Sequence, residues 1–282
     1  MNTFKSTLML VLLMLFLVLI GERIGGENGM LIAFAISVAM NFTAYFFSDK
    51  IALKMYRAQP VTREQMPRAY EVVERLAAKD GIPMPKIYMI PTESPNAFAT
   101  GRNPQHASVA LTHGILGLLT DEELEGVLAH ELGHVKNRDI LTSSIAATLA
   151  GAITLIARMG YWASLFGGYS GRGGRNRGGG LGGLLMLIMA PIAASLIQLA
   201  ISRSREYEAD ATGAHTTGNP YALARALQKL EDYSKRIPLQ ASASTAHMFI
   251  IAPLIGGGVG SLFSTHPPTK DRIRRLIGRD LV

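Results

Sequence analysis

Two histidines four residues apart, with a glutamate beside the first, form the pattern in this sequence that is best suited to chemistry. Residues 130–134 read His-Glu-Leu-Gly-His. Residues four apart share one face of a helix, so both imidazoles can reach a single Zn²⁺, and Glu131 then stands beside the open position of the metal. This arrangement is typical of a zinc hydrolase in which the glutamate is the general base.

The residues before this motif predict the helix that the motif needs. Thr120 and Glu123 have the spacing of a capping box, so a helix should begin directly after Thr120. An apolar stripe then follows on a face that excludes both histidines, formed by Leu124, Leu128, Leu132 and Val135. A surface helix with two incidental histidines is the alternative, and the cap and the stripe argue against it.

A catalytic zinc site needs a third protein ligand, because its fourth position is kept for water. The chain contains no cysteine, so that ligand must be His, Asp or Glu. Residues 202–210 carry three carboxylates; on a helix Glu206 and Asp210 share a face and Glu208 points away. We predict that Glu206 binds zinc and that Asp210 supports a ligand histidine from outside. An exposed, salt-bridged helix face is the alternative.

Four motifs in this order resemble the HtpX family of membrane-bound zinc endopeptidases, whose core is shared by the larger CAAX prenyl endoproteases. The motifs are Asn96-Ala-Phe-Ala-Thr-Gly101, His130-Glu-Leu-Gly-His134, Glu206-Tyr-Glu-Ala-Asp210 and Ser264-Thr-His-Pro-Pro268. The resemblance covers nearly the whole chain. It implies that His130, His134 and Glu206 hold the metal and that Glu131 is the general base. It also implies a stress-response role in quality control: the cutting of misfolded or damaged membrane proteins, with possible self-cleavage.

Composition and hydropathy independently predict a membrane protein. Hydrophobic residues make up 48% of the chain, and the mean hydropathy is +0.21. Two apolar runs, Leu8–Ile20 and Met30–Phe47, lie on either side of a short polar turn at 22–28. They predict an N-terminal transmembrane hairpin over residues 1–48. A cleaved signal peptide is the alternative for the first run.

The distribution of basic residues predicts the orientation in the membrane. The turn between the two apolar runs holds one basic residue, Arg23. Five basic residues follow the second run: Lys50, Lys54, Arg57, Arg63 and Arg68. Basic residues stay on the cytoplasmic side, so the N-terminus and the catalytic domain should be cytoplasmic, in a multi-pass protein of the cell (inner) membrane. The net charge of +7 is assigned to anionic headgroups of the lipid bilayer and not to nucleic acid, because no nucleic-acid-binding module accompanies it.

A second pair of apolar stretches divides the soluble part of the chain. Ile140–Phe166 and Leu181–Ile201 flank a Gly/Arg-rich linker at 167–180. If both stretches span the membrane, the arginines of the linker lie outside, against the positive-inside rule. There are two alternatives. The pair could enter the membrane only part of the way, or it could pack against the catalytic domain as a buried hairpin. The length of the fourth run and its lack of charge favour spanning.

This division places the zinc site at the membrane surface. Residues 49–139 and 202–282 form the two parts of the metalloprotease domain, on either side of the hydrophobic insertion at 140–201. His134 lies six residues before the third apolar run, and Glu206 lies five residues after the fourth. Substrates are therefore predicted to be membrane proteins, or segments lying at the cytoplasmic face.

The predicted fold is mainly α with a small β-sheet, an α+β zincin-like metalloprotease domain combined with transmembrane helices. Thr62–Lys79 is predicted as an amphipathic helix, Lys86–Ile90 as a strand, and Asn96–Thr100 with Ala107–Thr112 as a hairpin. An edge strand beside the active-site helix could bind an extended peptide by strand addition. The candidate residues for that contact are Asn96, Ala97, Phe98 and Ala99. The alternative is that the hairpin merely covers the core.

The predicted mechanism is metal-assisted hydrolysis of a peptide bond. One Zn²⁺ per chain would acidify its water and polarise the scissile carbonyl. Glu131 would accept the proton of the water and deliver it to the departing amine. His266 and Arg272 are candidates for stabilising the oxyanion, although a histidine before Pro-Pro could instead shape a turn.

A non-catalytic membrane scaffold or chaperone with a structural zinc is the alternative function. Glu131 argues against it, because a structural site usually fills all four metal positions with protein groups and needs no carboxylate between two ligands. A prenyl-protein processing protease is a further possibility, but the enzymes of that kind are much larger than 282 residues.

Overall fold

The computed structural model describes most of the chain, and these residues form helices and one small mixed sheet. The described residues are 2–150, 153, 203–237, 248–251 and 267–279. The prediction of a mainly α fold with a small β-sheet is confirmed. The Gly/Arg-rich linker, the fourth apolar run and His266 lie outside the described residues.

The elements follow one another in chain order. The helices are α1 Asn2–Met55, α2 Pro67–Asp80, α3 His113–Leu118, α4 Asp121–Lys136, α5 Ile140–Ala150, α6 Arg203–Thr217, α7 Pro220–Ser234 and α8 Thr269–Ile277. The strands are β1 Gln59–Pro60, β2 Lys86–Ile90, β3 Ala97–Thr100 and β4 Ser108–Thr112.

Helix α1 is two antiparallel arms joined at a pair of glycines. Gly25 and Gly26 have non-helical dihedral angles, and Gly26 has a φ of +59°, which glycine adopts without steric cost. The arms are in close contact near this turn, because a Cβ on Gly21 would lie 2.4 Å from the carbonyl oxygen of Gly29. The break is thus shorter than the predicted turn at 22–28, since its other residues are compatible with a helix.

The second arm of α1 continues beyond the predicted end of its apolar run at Phe47 and reaches Met55. Gly25–Met55 is long and apolar enough to cross a membrane, and among the described residues it alone passes that test. Large apolar side chains are exposed along both arms, including Leu12, Leu19 and Ile32. A hydrocarbon environment would remove this apolar surface from water.

The sheet has the strand order β1-β2-β4-β3. Strand β2 is parallel to β4, and β3 is antiparallel to β4, with Ala97 opposite Leu111 and Thr100 opposite Ser108. The strand predicted at Lys86–Ile90 and the predicted hairpin are therefore confirmed. Strand β3 forms one edge of the sheet, on the side that contacts α4.

Helix α2 begins later than predicted. The predicted start was Thr62, but the helix begins at Pro67. Proline fits the first helical position because it lacks the backbone N–H that would have no partner there, and it disfavours helical geometry in the residue before it. Met66 accordingly has a φ of −137° and a ψ of 60°. The predicted C-terminal end of α2 is confirmed, because Gly81 takes the left-handed conformation that ends the helix.

Helix α4 lies at the centre of the domain and contacts α2, β3, α6 and α7. Its capping box is present: Glu123 donates its backbone N–H to the Thr120 hydroxyl, and its carboxylate accepts the Thr120 N–H at 3.0 Å. The predicted apolar stripe is buried completely, with 0% exposure at Leu124, Leu128, Leu132 and Val135. The helix that carries the His-Glu-x-x-His motif is therefore fixed at its start and along one face.

Helix α6 approaches α4 at a distance that only small residues allow. A Cβ on Gly213 would lie 2.9 Å from the backbone nitrogen of His130, and a Cβ on Gly133 would lie 3.2 Å from the carbonyl oxygen of Ala209. Both contacts are tighter than side-chain packing normally permits. This close approach brings the first turn of α6 beside the two histidines of α4.

Helix α5, which begins the third apolar stretch, packs against both arms of α1. Leu141 and Ile145 share a buried cluster with Leu13 of the first arm and Ala44 of the second. The Ser144 hydroxyl also lies 2.8 Å from the Thr100 hydroxyl at the end of β3. The N-terminal hairpin, α5 and the sheet are therefore in direct contact.

Candidate metal centre

Three potential metal ligands converge between α4 and α6. Nε2 of His130 lies 3.2 Å from Nε2 of His134, and the Glu206 carboxylate oxygens lie 3.8 Å and 3.6 Å from these two nitrogens. A tetrahedral zinc with bonds of about 2.0–2.1 Å requires ligand atoms about 3.3 Å apart. The donor set and its spacing therefore fit Zn²⁺, and the structure brings together the three residues that the sequence analysis selected.

The helices determine how these ligands are presented. His130 and His134 are one turn apart on α4, and their rings stand edge to face at 4.7 Å between centroids. Glu206 projects from the first turn of α6, the helix that Gly213 allows to pack closely. His130 is fully buried and His134 is partly exposed, so the centre opens towards His134.

Asp210 and Arg272 form a buried support behind His130. The Asp210 carboxylate lies 2.9 Å from Nδ1 of His130, which leaves Nε2 free to face the metal. Arg272 donates to both oxygens of Asp210, at 2.8 Å and 2.7 Å, and to the carbonyl oxygen of Ile250 at 2.9 Å. Asp210 thus takes the supporting position that its spacing from Glu206 suggested.

Arg272 was predicted, with His266, either to support the centre or to stabilise the oxyanion. Its donors are engaged with Asp210 and Ile250, which is a supporting position, and a role at the oxyanion stays a prediction. Arg272 is only 1% exposed and belongs to the support of His130. Sequence spacing could not reveal this contact, because α8 lies far along the chain from both partners. His266, the other candidate, lies outside the described residues.

This support keeps His130 in the form that binds metal. Burial lowers the pKa of His130, and the adjacent Arg272 lowers it further, so its imidazole is neutral. Burial would raise the pKa of Asp210, but its ion pair and hydrogen bond with Arg272 outweigh that effect and lower it to about 2. The carboxylate is therefore charged and accepts a hydrogen bond from Nδ1–H of the histidine.

The Arg272–Asp210 pair should also matter for stability. We expect Arg272→Met to lower the free energy of unfolding of the metal-free protein by about 3 kcal/mol or more, because Asp210 would remain buried without its main partner. Urea unfolding in detergent measures this. Arg63→Met is the control, since Arg63 forms an exposed ion pair with Glu74, and it should change little. Equal losses in both variants would contradict a special contribution from the buried pair.

Asp139 supports the second histidine in the same way, a role that was not predicted from the sequence. Its carboxylate lies 3.0 Å from Nδ1 of His134. The residue follows the end of α4 and reaches back because Arg138 adopts a left-handed conformation with a φ of +58°. The one available signal was an aspartate five residues after His134, which indicates nothing unless the chain turns back there.

Two carboxylates change the protonation of His134. Burial would lower the pKa of His134, but the charges of Asp139 and Glu206 and the hydrogen bond from Asp139 raise it to about 10. His134 therefore carries a proton in the metal-free protein at neutral pH. Because a metal ligand must be deprotonated, binding of the metal has to release this proton.

Asp139→Asn tests the support of His134. We expect its affinity for Zn²⁺ to fall by about 10–100-fold, because the loss of a carboxylate behind a ligand histidine typically has that effect. Competition against a chromophoric chelator measures the affinity directly. Asp232→Asn is the matched control, because Asp232 lies on the surface of α7. An affinity equal to that of the parent, or an equal loss in the control, would contradict the assignment.

Glu131 lies beside the three ligand atoms in a small cavity. It is 2% exposed, and its carboxylate accepts a hydrogen bond from the backbone N–H of Ala99 in β3. Burial raises its pKa to about 7, and repulsion from Glu206 adds to this, although His134 acts in the opposite direction. A general base works best with a pKa near the operating pH, so this environment suits proton transfer.

The cavity beside the centre is small. Its volume is about 30 Å³, which is room for about two water molecules. Met248, Phe249 and Ile250 cover one side of it, and Phe249 is anchored edge to face on Phe98 at 5.2 Å. Residues 248–250 therefore form one wall of the space beside Glu131.

Strand β3 lies at the sheet edge as predicted and contains three of the four candidate substrate-binding residues, with Asn96 directly before it. Several of the polar groups along this edge are paired within the chain. The Ala97 carbonyl accepts the Ile250 N–H at 3.1 Å, and the Ala97 N–H donates to the Asn96 side chain at 3.0 Å. The Ala99 N–H donates to Glu131. Phe98 is buried in the aromatic contact with Phe249. Strand addition by a substrate at residues 96–99 stays a prediction, and it would compete with Ile250.

Comparisons with known proteins find relatives over nearly the whole chain. The sequence model for peptidase family M48 matches residues 63–280, which include all the site residues described above. A protease HtpX homolog from Desulfatibacillum aliphaticivorans is 55% identical over 277 residues, covering 98% of this chain and 89% of the relative. A protease HtpX homolog from Persephonella marina is 56% identical over 280 residues, covering 98% of this chain and 96% of the relative.

A solved structure shares the fold. The crystal structure of S. mikatae Ste24p matches with a TM-score of 0.54 at 21% sequence identity, over 94% of this chain. The match covers 62% of the Ste24p chain, so the protein described here spans less than two-thirds of that longer one. At this identity the similarity concerns the fold alone.

Proposed function

Because this chain belongs to peptidase family M48, and is therefore a metalloprotease, we propose that it is a membrane-bound, zinc-dependent endopeptidase with its active site on the cytoplasmic side. One observation carries the proposal: the ligand atoms of His130, His134 and Glu206 lie 3.2–3.8 Å apart, with the Glu131 carboxyl beside them. That donor set suits zinc and keeps a fourth position for reaction.

The residues of the chain account for the proton transfers of peptide hydrolysis. Zn²⁺ bound at the centre would supply Lewis acidity to the scissile carbonyl and to the attacking water. The Glu131 carboxylate accepts the proton of the water and returns it to the departing amine nitrogen. In the metal-free protein, burial raises the pKa of this carboxyl above its usual range, which makes it a stronger base. Asp210 and Asp139 hold the two histidines in orientation from behind.

The position of the centre supports membrane proteins as the substrate class. Helix α4 is followed almost directly by α5, which packs on both arms of the apolar hairpin α1. The metal centre thus lies close to the helix that is long enough to cross a bilayer. Quality control of misfolded or damaged membrane proteins, with self-cleavage, is the role that the resemblance to the HtpX family suggests.

Chelation and restoration test the proposed activity. We expect the detergent-solubilised protein to cleave casein and a model membrane protein, to lose this activity with 1,10-phenanthroline, and to regain it with Zn²⁺. Mass spectrometry of the products should find new internal termini, as an endopeptidase requires. The absence of cleavage despite one bound zinc per chain would favour the non-catalytic scaffold instead.

The cytoplasmic orientation can be measured separately because the chain has no cysteine. Glu27→Cys introduces one thiol next to the turn of the hairpin, and Lys79→Cys introduces one at the end of α2; both positions are exposed. We expect a membrane-impermeant maleimide to label position 27 in intact spheroplasts and position 79 only after lysis, since basic residues flank the cytoplasmic end of the second arm. The reverse pattern would overturn the orientation.

A further inference from the structure

A second, much larger cavity lies between the end of the membrane-length arm of α1 and the sheet. Its volume is about 510 Å³, within the range of roughly 300–1,000 Å³ that small-molecule sites occupy. Among the described residues, none lines both this cavity and the one at the metal centre. The chemistry proposed for the metal centre therefore leaves this cavity without an explanation.

One wall of the cavity is aromatic and faces outward. Phe42, Phe46 and Phe47 of α1 are 55%, 40% and 40% exposed, and the rings of Phe42 and Phe46 lie 4.6 Å apart. These residues belong to the last apolar turns before basic residues begin. Their rings therefore lie near the level at which hydrocarbon gives way to headgroups.

The other wall is basic. Lys50, Lys86 and Arg102 line it, against one carboxylate, Asp49. Within the described part of the chain, none of the three cations forms an ion pair with a carboxylate. His106, which also lines the cavity, is hydrogen-bonded to Arg102 at 2.8 Å. The net charge of the lining is therefore positive.

The two walls meet, so a ligand would touch both. The ammonium group of Lys50 lies 5.3 Å from the centroid of the Phe47 ring, and the guanidinium of Arg102 lies 5.4 Å from that of Phe46. Each cation thus stands at the rim of the apolar wall. A ligand that matches this surface needs an anionic group directly joined to a hydrocarbon chain.

We propose that this cavity binds an anionic phospholipid from the cytoplasmic leaflet. The headgroup phosphate contacts Lys50, Lys86 and Arg102, and an acyl chain lies along Phe42 and Phe46 towards the bilayer. Basic pockets beside membrane helices bind anionic headgroups in this way. The bound lipid fills the space between α1 and the sheet and so couples the hairpin to the soluble domain.

Native mass spectrometry of the full-length protein in detergent tests the proposal with phosphatidylglycerol and phosphatidylcholine of identical acyl chains. We expect phosphatidylglycerol to bind more tightly, and the double variant Lys50→Gln/Arg102→Gln to weaken it by about 30-fold while phosphatidylcholine is unaffected. Lys54→Gln/Lys79→Gln is the matched control. It removes the same charge from exposed positions outside the cavity and should leave both affinities unchanged.

Two further measurements separate a lipid from other anions. Phe42→Ser should weaken phosphatidylglycerol by about tenfold without changing the charge, because it shortens the apolar wall. Free glycerol 3-phosphate should not displace the lipid. Equal affinities for the two lipids, equal losses in the control variant, or displacement by glycerol 3-phosphate would each overturn the proposal. Thermal unfolding of every variant establishes that it is folded.

Discussion

Replacement of Glu131 by glutamine should lower the turnover number for casein by about 1,000-fold, the middle of the range for loss of a general acid–base. The bound zinc should stay at one per chain, because Glu131 is not among the three ligand residues. Glutamine has the same shape and is neutral, so it fits the buried position without leaving a charge there. The loss should therefore appear in chemistry and not in folding.

Two measurements make this result specific. Zinc content by atomic absorption, recorded beside the rate, distinguishes a missing base from a missing metal. Glu125→Gln is the matched control, because Glu125 lies on the same helix but pairs with Arg75 at the surface, and it should retain the parental rate. Full activity of the Glu131→Gln variant, with zinc bound, would exclude Glu131 as the base.

Removal of the third ligand should weaken zinc binding, whereas the Glu131→Gln variant should keep its zinc. We expect Glu206→Ala to lose zinc affinity by more than the roughly 10–100-fold expected for a supporting carboxylate, because it removes a direct bond to the metal. Activity should disappear at stoichiometric zinc and reappear only in part when zinc is raised. Chelator competition gives the affinity, and the dependence of the rate on zinc concentration gives the second readout.

Glu208→Ala provides the comparison within the same helix. Glu208 is exposed and lies on the face of α6 away from the histidines. The Glu208→Ala variant should therefore bind zinc as tightly as the parent. If Glu208→Ala lost the metal while Glu206→Ala kept it, the ligand assignment would be wrong. If neither lost it, the centre would be held by a different residue.

Loss of a supporting carboxylate and loss of a metal ligand should weaken zinc binding to different degrees. Asp139→Asn should weaken zinc binding moderately and Glu206→Ala severely, since one orients a ligand and the other is a ligand. The rate per bound zinc should change little in Asp139→Asn, whereas in Glu131→Gln it should fall almost to zero. Together these ratios separate metal binding from proton transfer.

Local patterns in the sequence determined the elements that carry the site. The capping box at Thr120, the buried stripe of α4 and the four-residue spacing of the histidines all depend on neighbours within a few turns. The same holds for the strand at 86–90, the β3–β4 hairpin and the apolar arms of α1. Glu206 was also predicted as a metal ligand, because Glu206 and Asp210 are four residues apart and so share one face of a second helix.

Local patterns failed where boundaries depend on backbone detail. The turn of α1 is confined to two glycines because the polar residues around them can continue a helix. Helix α2 starts at Pro67 and not at Thr62 because proline fixes the geometry of its own first turn. These are errors of a few residues, and they leave the assignment of each element intact.

Contacts between distant segments were decided only by the tertiary structure. Asp139 reaches His134 because the chain turns at Arg138, and Arg272 reaches Asp210 because α8 packs beside α6. Ile250 occupies the edge of β3 for the same reason. Sequence periodicity reports which face of an element is apolar, but it carries no information about which other segment will cover that face. The candidate ligands of this centre were therefore evident from the sequence, whereas their supports and the residues that cover one side of the cavity depend on packing.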